Sequence, residues 1–131
     1  MTMNIDAKID INIGKQISDM ICLKDERVIV LEKLGKVNLL TSDGKLEKQL
    51  HIHGGAFSVT QITQDTIAIT YHKEKAIKIF NMENETITKV IPLDIICWGL
   101  SFCNNSLTVG LSTNEIRIID LEGNTQKSSS E

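Results

Sequence analysis

The sequence is short of most things that announce a chemistry. It has no run of about 18 or more apolar residues, so no membrane-spanning helix is expected. Its first residues interleave Asn4, Asp6, Lys8 and Asp10 with apolar side chains, so they lack the apolar stretch of a secretion signal. Neither sign of charge dominates. The 14 basic residues are matched by 17 acidic ones, and a net charge of −3 gives no bias toward a polyanion. Aromatic residues make up 4 % of the chain and Arg27 and Arg117 are its two arginines, so a basic, stacking nucleic-acid surface is poorly supplied. The three cysteines, Cys22, Cys97 and Cys103, are odd in number and form no C-x-x-C pair. They read as reduced structural thiols of an intracellular protein, with the cytoplasm as the expected location. Neither G-x-x-x-x-G-K-[ST] nor G-x-G-x-x-G occurs, which removes the common phosphate-binding loops. His53-Gly54-Gly55 has no G-x-S-x-G elbow to accompany it, so it reads as a loop and not as an oxyanion hole.

What the sequence does contain is a repeat. Arg27-Val-Ile-Val-Leu31, Thr66-Ile-Ala-Ile-Thr70 and Ser106-Leu-Thr-Val-Gly110 are short apolar runs rich in β-branched residues. Their first apolar positions, Val28, Ile67 and Leu107, lie 39 and 40 residues apart. A second run follows each: Lys36–Leu40, Ala76–Phe80 and Glu115–Ile119, with Val37, Ile77 and Ile116 in register. A third precedes each pair, and aligns Asp19–Leu23 with Ser58–Ile62 and Trp98–Phe102. A fourth follows as Leu46–Ile52 and Thr86–Ile91, and the third copy is expected to stop near Asn124–Ser128. Asp43-Gly44, Glu83-Asn84 and Glu122-Gly123 fall at one place in the three copies. Gly and Asn adopt positive φ at low cost, as a tight hairpin turn requires. Self-similarity at such a period marks a repeat architecture.

Each copy therefore predicts four short strands joined by polar turns, and the fold class is all-β. No helical periodicity is sustained. Val28–Leu31 is apolar on both faces, as is Ile116–Ile119 apart from Arg117, so these strands are expected to be covered from both sides. A four-stranded propeller blade meets that condition, whereas an immunoglobulin-like sandwich leaves one face of each sheet open.

Four-stranded repeats of this length resemble β-propeller repeats of the WD and NHL type, although no Gly-His opens a repeat and no Trp-Asp closes one. Glu74–Asn84, Cys97–Phe102 and Ile116–Asn124 resemble more narrowly the C-terminal propeller of invertebrate tripartite-motif (B-box) proteins. The resemblance spans about Gly14 to Thr125. It implies a propeller module, but no ligase activity, because the chain has no RING, B-box or heptad segment.

Propellers close with about four to eight blades, and this chain carries about three. The expected organisation is one partial propeller over residues 1–126. An outer strand at 3–13 leads, repeats follow at 17–55, 56–95 and 96–126, and residues 127–131 form a disordered tail. The last repeat then holds three strands. Two arrangements satisfy the missing blades: a piece of a longer propeller, or two copies forming a six-bladed ring in which the leading strand of one completes the last blade of the other.

The candidate sites are weak as chemistry. His51 and His53 point to one face of a strand and would suit a metal if a third ligand were near, but the sequence supplies none, so no metal or cofactor is expected. No catalytic constellation is present. In a propeller, the loops joining strands two and three share one face with the links between blades. Here they are 32–36, 71–75 and 112–115, with 53–56 and 93–96. Lys33, His53, Tyr71, His72, Asp94 and Asn114 are the candidate binding residues of that face. The function expected is a non-catalytic module that binds a protein partner, and no membrane partner is expected. The alternatives are an RNA-binding propeller using Lys73, Lys75 and Lys78, and a propeller enzyme with a site built from several blades.

Overall fold

A computed structural model describes residues 16–33, 36–50, 52 and 55–130. It contains twelve strands in three antiparallel four-stranded sheets, each a simple meander. The first sheet is β1 (Ile17–Cys22), β2 (Val28–Glu32), β3 (Val37–Leu40) and β4 (Leu46–Leu50). The second is β5 (Ala56–Gln61), β6 (Thr66–Tyr71), β7 (Ala76–Asn81) and β8 (Thr86–Pro92). The third is β9 (Cys97–Cys103), β10 (Ser106–Leu111), β11 (Glu115–Ile119) and β12 (Thr125–Ser130). Among the described residues no helix is long and apolar enough to cross a membrane.

The sheets pack face to face in sequence, β1 and β2 against β5, then β5 and β6 against β9. The double-sided apolar strands follow from this. One face of β6 sends Ile67, Ile69 and Tyr71 into a core with Ile29, Leu31, Val37 and Leu39 of the first sheet, and Phe80 and Met82 join it. The other face sends Ala68, with Ile77 and Ile79 of β7, into a second core with Leu107, Val109, Leu111 and Ile119. Full burial of a side chain of this size contributes about 1.5–3 kcal/mol, so the two inter-sheet cores hold the sheets in register.

The third sheet departs from the sequence reading in two ways. The segment expected to fray carries β12, which pairs with β11 from Glu115↔Ser130 to Ile119↔Thr125. An outer strand is held by main-chain hydrogen bonds, which ask nothing of the side chains, so a run of Thr, Gln, Lys and Ser can serve. The last sheet thus has its fourth strand, and the strand exchange between two copies has no vacant place to fill. The expected leading strand at 3–13 lies outside the described residues. The second departure is one of register. Asp19 pairs with Leu31, Ser58 with Thr70, and Gly110 lies opposite the Trp98–Gly99 step. Trp98 therefore matches Phe57 and Gly99 matches Ser58, one residue from the alignment read from sequence. The β9–β10 hairpin is the cause. It turns on Asn104 and Asn105 alone, both at positive φ (51° and 65°) as a two-residue type I′ turn requires, whereas the matching turns are longer.

The repeated hairpin before the outer strand is also uneven. Gly44 and Gly123 take positive φ (86° and 94°) as the sequence predicts, but in the second sheet the left-handed residue is Glu85 and not Asn84. There Phe80, the match of Leu40 and Ile119, pairs with Ile87, against Leu40↔Leu46 and Ile119↔Thr125, so the turn is one residue longer.

A polar relay crosses the three inner strands. Asp19 Oδ2 accepts from Ser58 Oγ at 3.0 Å and from the Val59 amide at 2.9 Å. Ser58 Oγ in turn accepts from the Leu100 amide at 3.3 Å. Thr70 Oγ1 accepts from the Ser58 amide and donates to the Trp98 carbonyl at 2.7 Å. The relay stops at both ends: Asp19 Oδ1 takes up the Met20 amide of its own strand, and the next place in the series is Gly99, which has no side chain to extend it.

Candidate functional site

The links within and between sheets gather at one end, as the meander topology dictates. Main-chain hydrogen bonds tie them there: Leu93 N–H donates to the Lys75 carbonyl at 2.7 Å and Ser112 N–H to the Ile96 carbonyl at 2.9 Å. The six candidate residues do not behave alike. Lys33, Asp94 and Asn114 are exposed on the loops. Tyr71 is 1 % exposed, because strand alternation turns it into the core between the first two sheets. Its phenol is buried without a hydrogen-bond partner among the described residues, and burial pushes its pKa up. The Lys78 ammonium, paired with Glu74 at 2.9 Å, sits 4.2 Å from the ring centroid. Tyr71 thus supports the loop face from beneath. His53, with His51 and Gly54, lies outside the described residues.

His72 belongs to an aromatic cluster that the loop pattern does not reveal. Its ring stacks on Trp98 at 5.2 Å and 19°, and Phe57 meets both edge-on at 5.6 and 5.3 Å. Trp98 Nε1 donates to Ser112 Oγ at 3.1 Å. The chain's single tryptophan is therefore held from three sides and still 41 % exposed. Beside it opens a cleft of about 530 Å³, lined by Trp98, Gly110, Asn114, Ile116 and Ser129 among others. Thr113 and Asn114 at its rim stand at φ 70° and 60°. Positive φ is costly for a β-branched residue, so this turn stores strain next to the cleft. Gly99 and Gly110, in strand interiors where glycine marks a bulge or a close approach, were the available sequence signal.

Arg117 carries the charge of this end. It donates to Asp94 Oδ1 and to Glu115 Oε2, both at 2.8 Å. The Arg117 hydrogen bond holds the Asp94 carboxyl below the usual carboxylate range, and the Ser128 hydroxyl, followed by Arg117, does the same for Glu115. Both folded pKa values lie below the unfolded ones, so this contribution to stability is complete above the ordinary carboxylate range and is lost as pH falls through the depressed values. Arg117→Met is therefore expected to lower the urea midpoint at pH 7 and to approach the native chain as pH falls through the depressed carboxylate values. Urea titrations at pH 7 and at successively lower pH check it.

Burial raises the Cys97 thiol, despite its contacts with the Tyr71 and Ala76 carbonyls at 3.6 Å. That agrees with a structural thiol at this position.

Solved structures share this architecture. The chain superposes on the WD40 β-propeller domain of Doa1 with a TM-score of 0.78 at 12 % identity, over 90 % of this chain and 42 % of that one. It superposes on the WD40 domain of Neurospora crassa Pan2 at 0.72 and 11 %, over 87 % and 36 %. It superposes on hydrazine synthase of Kuenenia stuttgartiensis at 0.74 and 11 %, over 97 % and 39 %. The chain thus spans about two fifths of the length of these structures, and its three sheets have the fold of β-propeller blades. No family model matches the sequence, and no curated protein matches it.

Proposed function

We propose that this arc of three blades is a non-catalytic protein-interaction module, a rigid scaffold that holds one set of loops toward a protein partner. One observation carries the reading: the exposed Lys33, Asp94 and Asn114 sit on links at the same end of the blades, and backbone hydrogen bonds fix several of those links to one another. Loops on a rigid scaffold are where recognition concentrates. The WD40 likeness supports a scaffold, while the hydrazine synthase likeness is a reminder that fold alone does not set function. The narrower origin, a piece of a tripartite-motif-like protein, rests on the segments Glu74–Asn84, Cys97–Phe102 and Ile116–Asn124.

Cross-linking in cell extract, followed by quantitative mass spectrometry, tests the loop face. A triple variant Lys33→Ala, Asp94→Asn, Asn114→Gly removes its side-chain chemistry, and glycine keeps the left-handed backbone at 114. The expected result is loss of at least one protein captured by the native chain, with an unchanged melting curve and no effect of ribonuclease. An identical set of captured proteins overturns the assignment, and loss on ribonuclease treatment redirects it to RNA.

A further inference from the structure

The net charge of −3 is unevenly placed. At the end opposite the loop face, the turns 23–27, 41–45, 62–65, 82–85 and 120–124 hold eight carboxylates against three cations. At the loop end the balance is the reverse once the ion pairs are set aside. Glu32 is 4 % exposed and accepts from Asn38 Nδ2 at 2.9 Å, so its charge lies beneath the surface. Glu74 is held by Lys78 at 2.9 Å, and Asp94 and Glu115 share Arg117, each at 2.8 Å. These are all the carboxylates on the described parts of links 32–36, 71–75, 93–96 and 112–115. Four exposed ammonium groups remain, Lys33 and Lys36 on the first blade and Lys73 and Lys75 on the second. None of them forms an ion pair among the described residues. Lys75 only adds to the field at Asp94, whose carboxylate Arg117 already holds. The positive excess thus lies over the first two blades.

We propose that this lysine group receives an acidic segment of a protein partner, a run of Asp and Glu laid across the links of the first two blades. The inference rests on the protein-interaction reading above and names the chemistry of that partner. Unpaired charge of one sign on fixed links steers the approach of the opposite sign and selects against the same sign. Ammonium groups on long flexible stems are point charges, which suit several separate carboxylates better than one planar anion. RNA fits less well, because it needs exposed rings on which bases can stack. Tyr71 is buried, and His72 is already stacked on Trp98. A second copy offering its acidic end also fits less well. There Asp25 is engaged by Arg27, Glu85 and Glu122 meet the strand lysines Lys48 and Lys89, and Asp120 accepts from the Asn124 amide of its own turn.

Fluorescence anisotropy of a rhodamine-labelled peptide, Gly-Glu-Asp-Glu-Asp-Glu-Gly, tests it. Titration with the native chain is expected to give a saturable rise that the neutral analogue, Gly-Gln-Asn-Gln-Asn-Gln-Gly, does not. Raising salt from about 50 mM to about 500 mM shortens the Debye length roughly threefold and should weaken binding at least about tenfold. Lys33→Gln with Lys36→Gln, and Lys73→Gln with Lys75→Gln, should each weaken it at least about threefold, in keeping with the modest worth of exposed charge pairs. The quadruple variant should abolish it with an unchanged melting curve, while Lys24→Gln with Lys45→Gln at the other end leaves it intact. Any of five results overturns the proposal: no saturable rise, an equal rise with the neutral analogue, binding that the quadruple variant retains, tighter binding of an oligouridylate of equal charge, or salt-sensitive dimers in light scattering that the peptide disperses, which would put a second copy on the lysines. The two readings fail separately. If the triple loop variant loses a captured protein that the quadruple lysine variant keeps, the interaction module stands and the acidic partner falls. If the peptide binds as expected but the triple variant captures the native set of proteins, the earlier choice of loop residues falls alone.

Discussion

Phe80→Ala is expected to cost the fold about 3–5 kcal/mol, the usual range for emptying a buried phenylalanine site. Phe80 is 1 % exposed in the core between the first two blades, beside Ile67 across the strand pair. Its neighbours come from two sheets and cannot collapse into the space without moving one blade against the other. The loss is a large part of the roughly 5–15 kcal/mol that holds a typical domain together. It corresponds to a melting temperature lower by roughly 10–20 °C for a chain of this size. Phe80→Leu keeps most of the volume and should cost less than about 1.5 kcal/mol. Urea unfolding of the two variants decides the matter. A midpoint for Phe80→Ala within error of that for Phe80→Leu would mean that the first inter-blade core is not tightly packed.

Asp19→Ala should be the most damaging polar change, at about 2–4 kcal/mol, because it strands several donors at once. The Ser58 hydroxyl and the Val59 amide lose an acceptor across the blade boundary, and the Met20 amide loses one within its own strand. Asp19→Asn retains a single carbonyl oxygen and can serve one side only, so about half the loss is expected. Amide hydrogen exchange separates this from a general loosening. Val59 should lose protection first and Leu100 next, since its acceptor Ser58 Oγ is positioned through Asp19. Uniform loss of protection over all three blades would instead assign Asp19 a global role.

Which features the sequence disclosed follows from where their causes lie. Val28–Leu31, Thr66–Thr70 and Ala76–Phe80 announce themselves because strands covered on both sides must be apolar on both faces, and that requirement is local. β12 was hidden because an outer strand needs only backbone bonds, so Thr125–Ser130 looks like a polar tail. Apolar spacing sets the match of Trp98 with Phe57 one residue off, because the Asn104-Asn105 turn is shorter than its counterparts and a turn length is not fixed by apolar spacing. Position in the chain puts Tyr71 on the loop face, whereas the alternation of β6 buries it. The Asp19 relay and the glycine pair joining Gly99 to Gly110 depend on which strands become neighbours, and no stretch of ten residues carries that information.

The second blade is coupled on both sides, to β1 and β2 through β5, and to β9 through β5 and β6. In thermodynamic terms the described chain is a one-dimensional array of three units with two nearest-neighbour couplings. Among these units the central one loses both couplings when it opens, so the amides of β6 and β7 should report the global free energy of unfolding. A lesion in the central unit acts differently, because it severs the communication between the outer two, and the array then melts in pieces instead of as one.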